Sequence, residues 1–160
     1  MKGISVSMTH LIGQYECKAD AKGRVNIPST LMSQLFPVLD KGFVLKRSVF
    51  QQCLEFYPKQ AYDELMTKIL AKNQFSRNYD TFLRNFLAGS QQINLEEHGR
   101  LQIPKALISF ASISKEVVLT SAINRIEIWD KVKYEAVLTE GQDIYADLAE
   151  SIFSDDTNLS

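Results

Sequence analysis

The sequence predicts an α+β protein made of two copies of one β-rich unit folded into a single domain, and three observations predict it. Residues 20–31, DAKGRVNIPSTL, return as EEHGRLQIPKAL, with Gly23, Arg24, Ile27, Pro28 and Leu31 at the places of Gly99, Arg100, Ile103, Pro104 and Leu107, all at one constant offset of 76. Val44 and Leu45 answer Val118 and Leu119 at an offset of 74, and Glu55, Tyr57 and Tyr62 answer Glu127, Trp129 and Tyr134 at 72, so the second copy has lost short pieces of loop. Between the copies the apolar period changes from two to that of a helix. A repeat of this length carries too little apolar surface to stand alone and is stabilised by packing on its twin. The expected division is one domain, 1–160, built of repeats 14–89 and 90–154, with 155–160 a frayed tail.

Residues 14–27 alternate. Tyr15, Cys17 and Ala19 point one way and Glu16, Lys18 and Asp20 the other; beyond the turn Val25 and Ile27 point inward and Arg24 and Asn26 outward. That pattern predicts a β-hairpin closed by Ala21, Lys22 and Gly23, with the glycine supplying positive φ. In the second copy Ile93, Leu95, Leu101 and Ile103 are the inward set, Asn94, Glu96, Arg100 and Gln102 the outward one, and Gly99 takes the turn. Pro28 and Pro104 stop each strand and suit the first position of a short helix, whose Leu31 and Leu35, or Leu107 and Phe110, cap the sheet. Paired short strands follow in each half, 43–47 with 53–57 and 117–120 with 125–129.

The inter-copy material predicts a helical hairpin. Pro58 opens a helix with Tyr62, Leu65, Met66 and Ile69 on one face; Ser76 caps a second with Tyr79, Phe82, Leu83, Phe86 and Leu87 on one face, and Gly89 ends it. An aromatic stripe of this kind reads as core or subunit contact before it reads as a cofactor box. In the second half the matching helices are 131–138 and 143–153, the latter with Ile144, Leu148 and Ile152 on one face.

Composition excludes several functions. At 45% hydrophobic and 23% charged the chain is an ordinary globular protein. It has no apolar run near the roughly 18–20 residues of a membrane span and no leader-like N-terminus, which predicts a cytoplasmic protein. Cys17 and Cys53 stand far apart in strand-like contexts and read as buried thiols, and His10 and His98 are isolated, so no metal or other cofactor is expected. A phosphate loop, a nucleophile elbow and any His placed near a candidate Ser or Cys are all missing, and an enzyme with a small-molecule substrate is not expected.

The net charge of −1 hides an asymmetry: residues 1–134 hold all 18 Lys and Arg but 12 of the 19 acids, a surplus of six positive charges. The acidic remainder is either a solvated helix and tail or a segment that competes with phosphate for a basic face. The outward face of the two hairpins collects Lys18, Arg24, Asn26, Arg100 and Gln102, with Lys22, His98 and Lys105 at turns and strand ends. Arg, Asn and Gln read guanine and adenine edges in a major groove that admits a two-stranded ribbon, and Lys neutralises phosphate. Equally, Asp20 with Arg24 and Glu96 with Arg100 can be ion pairs that hold the shape of each turn. Asp20, Gly23, Glu96 and Gly99 are then turn-stabilising residues, and both readings stand on the residues alone.

The pattern D-x-x-G-R-V-x-I-P-x-x-L, its return in the second half at the offset of 76 and the link RNFLAGSQQINLEEHGR resemble the MraZ family, two-copy relatives of AbrB-type swapped-hairpin regulators. The resemblance spans nearly the whole chain. It implies that the two hairpins interleave as pseudo-symmetric swapped units around one small β-barrel-like core. It further implies ring-shaped homo-oligomers and a bacterial, nucleoid-associated regulator of the division and cell-wall gene cluster that binds double-stranded DNA at direct repeats upstream of its own gene. The family's DNA-contacting Arg falls on Arg24 and Arg100, and its carboxylate on Asp20 and Glu96. The second copy departs from the pattern, with Glu96 where Asp is usual and His98 where Gln is common, which favours Arg24 over Arg100. The alternative is a structural or adaptor ring that holds protein partners through its helical faces.

Overall fold

In the computed structural model, which describes residues 10–72, 74–96 and 98–154, the two halves of the chain exchange strands. The expected leader-free N-terminus over residues 1–9 and the frayed tail over 155–160 lie outside the described residues. Strand β1 (Gln14–Lys18) pairs antiparallel with β7 (Glu116–Ser121) of the second half, and β5 (Gln91–Ile93) pairs with β3 (Phe43–Arg47) of the first. The expected hairpins β3 with β4 (Leu54–Pro58) and β7 with β8 (Ile126–Asp130) both form, and β4 joins β8 at the centre. The result is an antiparallel six-stranded sheet, β1-β7-β8-β4-β3-β5, whose order is the same read from either end once the halves are interchanged.

The predicted hairpin over 14–27 requires correction. The chain does reverse there, with an Ala19–Val25 bridge, but β2 (Arg24–Asn26) leaves β1 and pairs with β6 (Arg100–Gln102) of the other half. Backbone polar groups must find partners. The ladder of β1 runs to β7 and that of β2 to β6, so each strand pairs with the opposite repeat, while across its own turn the Asp20 N–H still donates to the Arg24 carbonyl at 3.0 Å. The barrel-like closure is also not seen. The six-stranded sheet is open, with β1 and β5 as its edges, and β2-β6 forms a separate ribbon.

The core lies between these layers. Val25 and Leu101 from the ribbon, Leu31 and Leu35 from α1 (Ser29–Leu35), Leu107 and Ala111 from α4 (Lys105–Ala111), and Phe43, Leu45, Leu54, Phe56, Leu119 and Ile128 from the sheet are all at most 2% exposed. Each of these side chains but that of Ala111 contributes roughly 1.5–3 kcal/mol by leaving water. Phe43 and Phe56 stack at 4.6 Å between centroids. Pro28 and Pro104 stand one place earlier than expected, in extended backbone at the N-cap rather than inside the first turn.

The opposite face of the sheet carries the remaining helices. Helix α2 (Lys59–Leu70) packs on β3 and β4, and Tyr62 meets Tyr57 edge-on at 6.2 Å; the repeat-related Tyr134 meets Trp129 in the same way at 5.6 Å. Helix α3 (Arg77–Leu87) is capped by the Ser76 hydroxyl, which accepts from the Asn78 and Tyr79 N–H groups. Its contact with α2 is slight. It is anchored instead near its C-terminus, where the Asn85 carbonyl accepts from Arg47 and the Phe86 ring lies 4.1 Å from the Lys46 ammonium. The two expected C-terminal helices are one continuous helix, α5 (Lys131–Ser154). Gly141 costs only about 1 kcal/mol inside a helix, and no proline stands nearby to convert that weakness into a break. Among the described residues no helix is long and apolar enough to cross a membrane.

Candidate nucleic-acid interface

Pairing β2 with β6 sets equivalent strands of the two repeats antiparallel, centred on one equivalent pair. Val25 lies opposite Leu101, and both turn into the core. The period of two then forces their neighbours outward. Arg24 stands beside Gln102 and Asn26 beside Arg100, so four of the six sequence-predicted DNA-binding residues occupy one face of one short ribbon. The Ile27 N–H donates to the Gly99 carbonyl and the Ile103 N–H to the Gly23 carbonyl, both at 2.9 Å, tying each end of the ribbon to the opposite repeat's turn.

The first turn is held by Asp20. One carboxylate oxygen accepts from the backbone N–H groups of Lys22 and Arg24, both at 2.9 Å, and the other accepts from Arg24 Nε at 2.7 Å. The Arg24 backbone donor, helped by its guanidinium and by the Lys22 N–H, keeps the Asp20 carboxyl below its usual range. Gly23 closes the turn at φ +78°, a value that L side chains rarely adopt. The guanidinium is thus oriented on a side chain still a third exposed, and Arg carries more N–H donors than this one pair uses.

The second turn is built less tightly. Gly99 has the equivalent φ of +76° and its N–H donates to the Glu96 carbonyl at 2.8 Å. The Glu96 carboxylate, one methylene longer than Asp, lies 3.9 Å from Arg100 and 3.6 Å from His98, ion-pair distances without the short side-chain bonds to backbone seen at Asp20. The departure from the family pattern at this turn therefore has a geometric counterpart.

Gln102 differs from the sequence expectation. Its amide donates to the Lys22 carbonyl at 2.7 Å and to the Ile103 carbonyl at 3.3 Å, so it braces the first turn from the second repeat. Asn26, its equivalent in the first repeat, is one methylene shorter and exposed. That difference in side-chain length is the only sign of the brace in the sequence, because its partners are 80 residues apart. Lys22 is exposed at the turn, and Lys105 is exposed at the start of α4. Lys18 is exposed but belongs to β1, in register with Glu116 on β7, and the structure does not bring it onto the ribbon. Among the described residues no three His, Cys, Asp or Glu side chains gather as a metal ion would require.

Comparison with known proteins identifies the family. The family model described as "MraZ protein, putative antitoxin-like" matches the chain twice, over residues 11–85 and 86–153. The transcriptional regulator MraZ of Christiangramia forsetii is 50% identical over 149 residues, covering 93% of this chain and 96% of that protein. Its namesake in Flavobacterium psychrophilum is 50% identical over 145 residues, covering 91% and 92%, and that of Cytophaga hutchinsonii 36% identical over 138 residues, covering 86% and 91%. With its doubled motif matched twice over and its relatives aligned nearly end to end, this chain belongs to the MraZ family.

Proposed function

We propose that this protein is a sequence-specific, double-stranded DNA-binding transcriptional regulator that reads DNA with the β2-β6 ribbon. The observation that carries the reading is the shared outward face of Arg24, Asn26, Arg100 and Gln102 on a two-stranded ribbon, a shape and chemistry suited to a major groove. Arg24, oriented by Asp20, reads a base edge, with Arg100 as its weaker counterpart, and Asn26 supplies an amide. Lys22 and Lys18 meet phosphate, and Gln102 fixes the turn. In this reading residues 14–89 and 90–154 are the two swapped-hairpin repeats of a single domain, and the protein acts in the cytoplasm on the nucleoid.

One subunit offers few phosphate contacts, so a homo-oligomeric ring meeting direct repeats upstream of its own gene gains affinity by effective concentration. Control of its own division and cell-wall gene cluster follows from the family resemblance. The test is fluorescence anisotropy of that upstream DNA against a shuffled control, at low and physiological salt, with Arg24→Ala alongside. Sequence-preferring binding that weakens steeply with salt and falls at least tenfold in the variant is expected. Equal, negligible binding to both DNAs would select the second reading, a ring that holds protein partners through its helical faces, which the exposed Phe50 and Phe82 favour.

A further inference from the structure

Two apolar surfaces stand exposed among the described residues. The first is a groove of about 620 Å³ between the loop at 48–52, α3 and the first half of α5. Phe50, Phe82, Phe86, Phe110, Trp129 and Val137 give it an aromatic lining, with Phe50 90% and Phe82 41% exposed. The charged groups facing it are Arg47, Lys133 and Glu140. The second is the C-terminal half of α5. Ile144, Leu148 and Ile152 form one apolar stripe, 53%, 49% and 65% exposed, and no residue of the helix is buried. Asp143, Asp147 and Glu150 accompany the stripe, and no basic residue follows Lys133.

We infer that the C-terminal half of α5 of one copy of this chain docks in the aromatic groove of the next copy. A helical segment this short is marginal in water by propensity alone, and none of its described residues is buried. It cannot fill its own groove, because the first half of the same unbroken helix is the groove's wall. At the rise of an α-helix the second half runs on beyond that wall by about 18 Å. The acidic helix end carries the charge that Arg47 and Lys133 attract, and its aliphatic stripe matches the rings between them. Groove and helix are different surfaces, so the contact is head-to-tail and each subunit passes it on until the assembly closes. The inference rests on the homo-oligomer of the proposed function and supplies its contact; its test contains no DNA, so a failure of DNA reading leaves the outcome untouched.

The experiment uses the full chain in sedimentation velocity and native mass spectrometry. Leu148→Asp removes the helix stripe and Phe82→Asp spoils the groove; both side chains are exposed, and circular dichroism of each variant checks the fold. The wild-type chain is expected to be oligomeric and each variant monomeric. An equimolar mixture of the two variants forms a 1:1 dimer and nothing larger, because one chain keeps a sound groove and the other a sound helix. The double variant Asp143→Lys with Asp147→Lys, which leaves the stripe intact, weakens association at least tenfold at low salt. A monomeric wild-type chain, a wild-type mass in either single variant, a mixture that stays monomeric, or unchanged association in the charge variant would each overturn the inference.

Discussion

Glu55 and Glu127 face each other in register across β4 and β8, and they are the same residue of the repeat, related by the offset of 72. Their aromatic companions are equivalent too: the Tyr57 hydroxyl donates to Glu55 at 3.2 Å and the Trp129 indole N–H to Glu127 at 2.9 Å. Like charges directly opposite in a sheet repel, and a strictly symmetric duplication would leave them so. Two substitutions relieve it. Arg125, where the first repeat has Cys53, lies 3.5 Å from Glu55 and 3.9 Å from Glu127, and Lys46, where the second has Thr120, lies 3.4 Å from Glu55. The two repeats thus differ at the positions whose cations neutralise this pair of carboxylates.

Lys46 is the deepest member of this network, fully buried, with burial pressing its ammonium below the usual value and Glu55 opposing the shift. Removing Lys46 leaves two carboxylates, Glu55 and Glu127, sharing Arg125 as their cation partner in a largely buried site. Lys46→Met is therefore expected to lose about 3–5 kcal/mol in urea denaturation. The double variant Lys46→Met with Glu55→Leu should regain more than half of that, since Arg125 and Glu127 remain paired. A double variant no more stable than the single would show that packing, not charge, is what Lys46 supplies.

The two turn glycines predict unequal costs. A Cβ on Gly23 would stand 2.9 Å from the Ile103 backbone oxygen, beside the N–H that bonds the Gly23 carbonyl; on Gly99 it would stand 2.7 Å from Cγ and Sδ of the flexible Met32 side chain. Both substitutions meet the strain of positive φ, on the order of 1–3 kcal/mol. Gly23→Ala adds a clash that nothing can relieve cheaply, so its melting temperature should fall further than that of Gly99→Ala. Equal losses would show that strain alone sets the cost.

The duplication, the strands, the turn glycines and the core positions such as Val25 and Leu101 were legible because each leaves a local period or an offset in the sequence. Strand exchange was implied by the family resemblance and not by the alternation, which at Tyr15, Cys17 and Ala19 states which face a strand buries and not which strand it joins. The continuity of α5 was missed for a related reason. Gly141 is a weak breaker, and whether it ends a helix depends on whether the chain has something to turn back onto. At the site, the outward set Arg24, Asn26, Arg100 and Gln102 could be read, whereas the bracing role of Gln102 depends on the pairing of β2 with β6.

The cysteines make a prediction about reactivity. Burial pushes the Cys53 thiol up to about 12, with Glu127 adding to the shift, and that of Cys17 up to about 11. The thiolate is the nucleophile, so both are held protonated at pH 8. Native protein should react with a thiol-specific chromogenic disulfide far more slowly than the unfolded chain, in which both thiols titrate near about 8.5 and two equivalents react promptly. Rapid native labelling of Cys53 would mean that β4 opens at its start far more readily than its burial suggests.

Gln102 and Asn26 occupy equivalent places on the ribbon but hold different partners, and their substitutions should separate turn geometry from base reading. Gln102→Ala frees the Lys22 carbonyl and loosens the turn that presents Arg24, so affinity should drop severalfold on specific and shuffled DNA alike. Asn26→Ala touches no such brace. Its effect should be confined to specific DNA, about 1–3 kcal/mol of discrimination if the amide pairs with a base, with little change on the shuffled control. Both are measured by anisotropy at fixed salt, since the phosphate contribution varies with ionic strength. A loss of discrimination at Gln102 with affinity for shuffled DNA intact would reverse the two assignments, making Gln102 the reader and its bond to Lys22 a resting contact exchanged for a base.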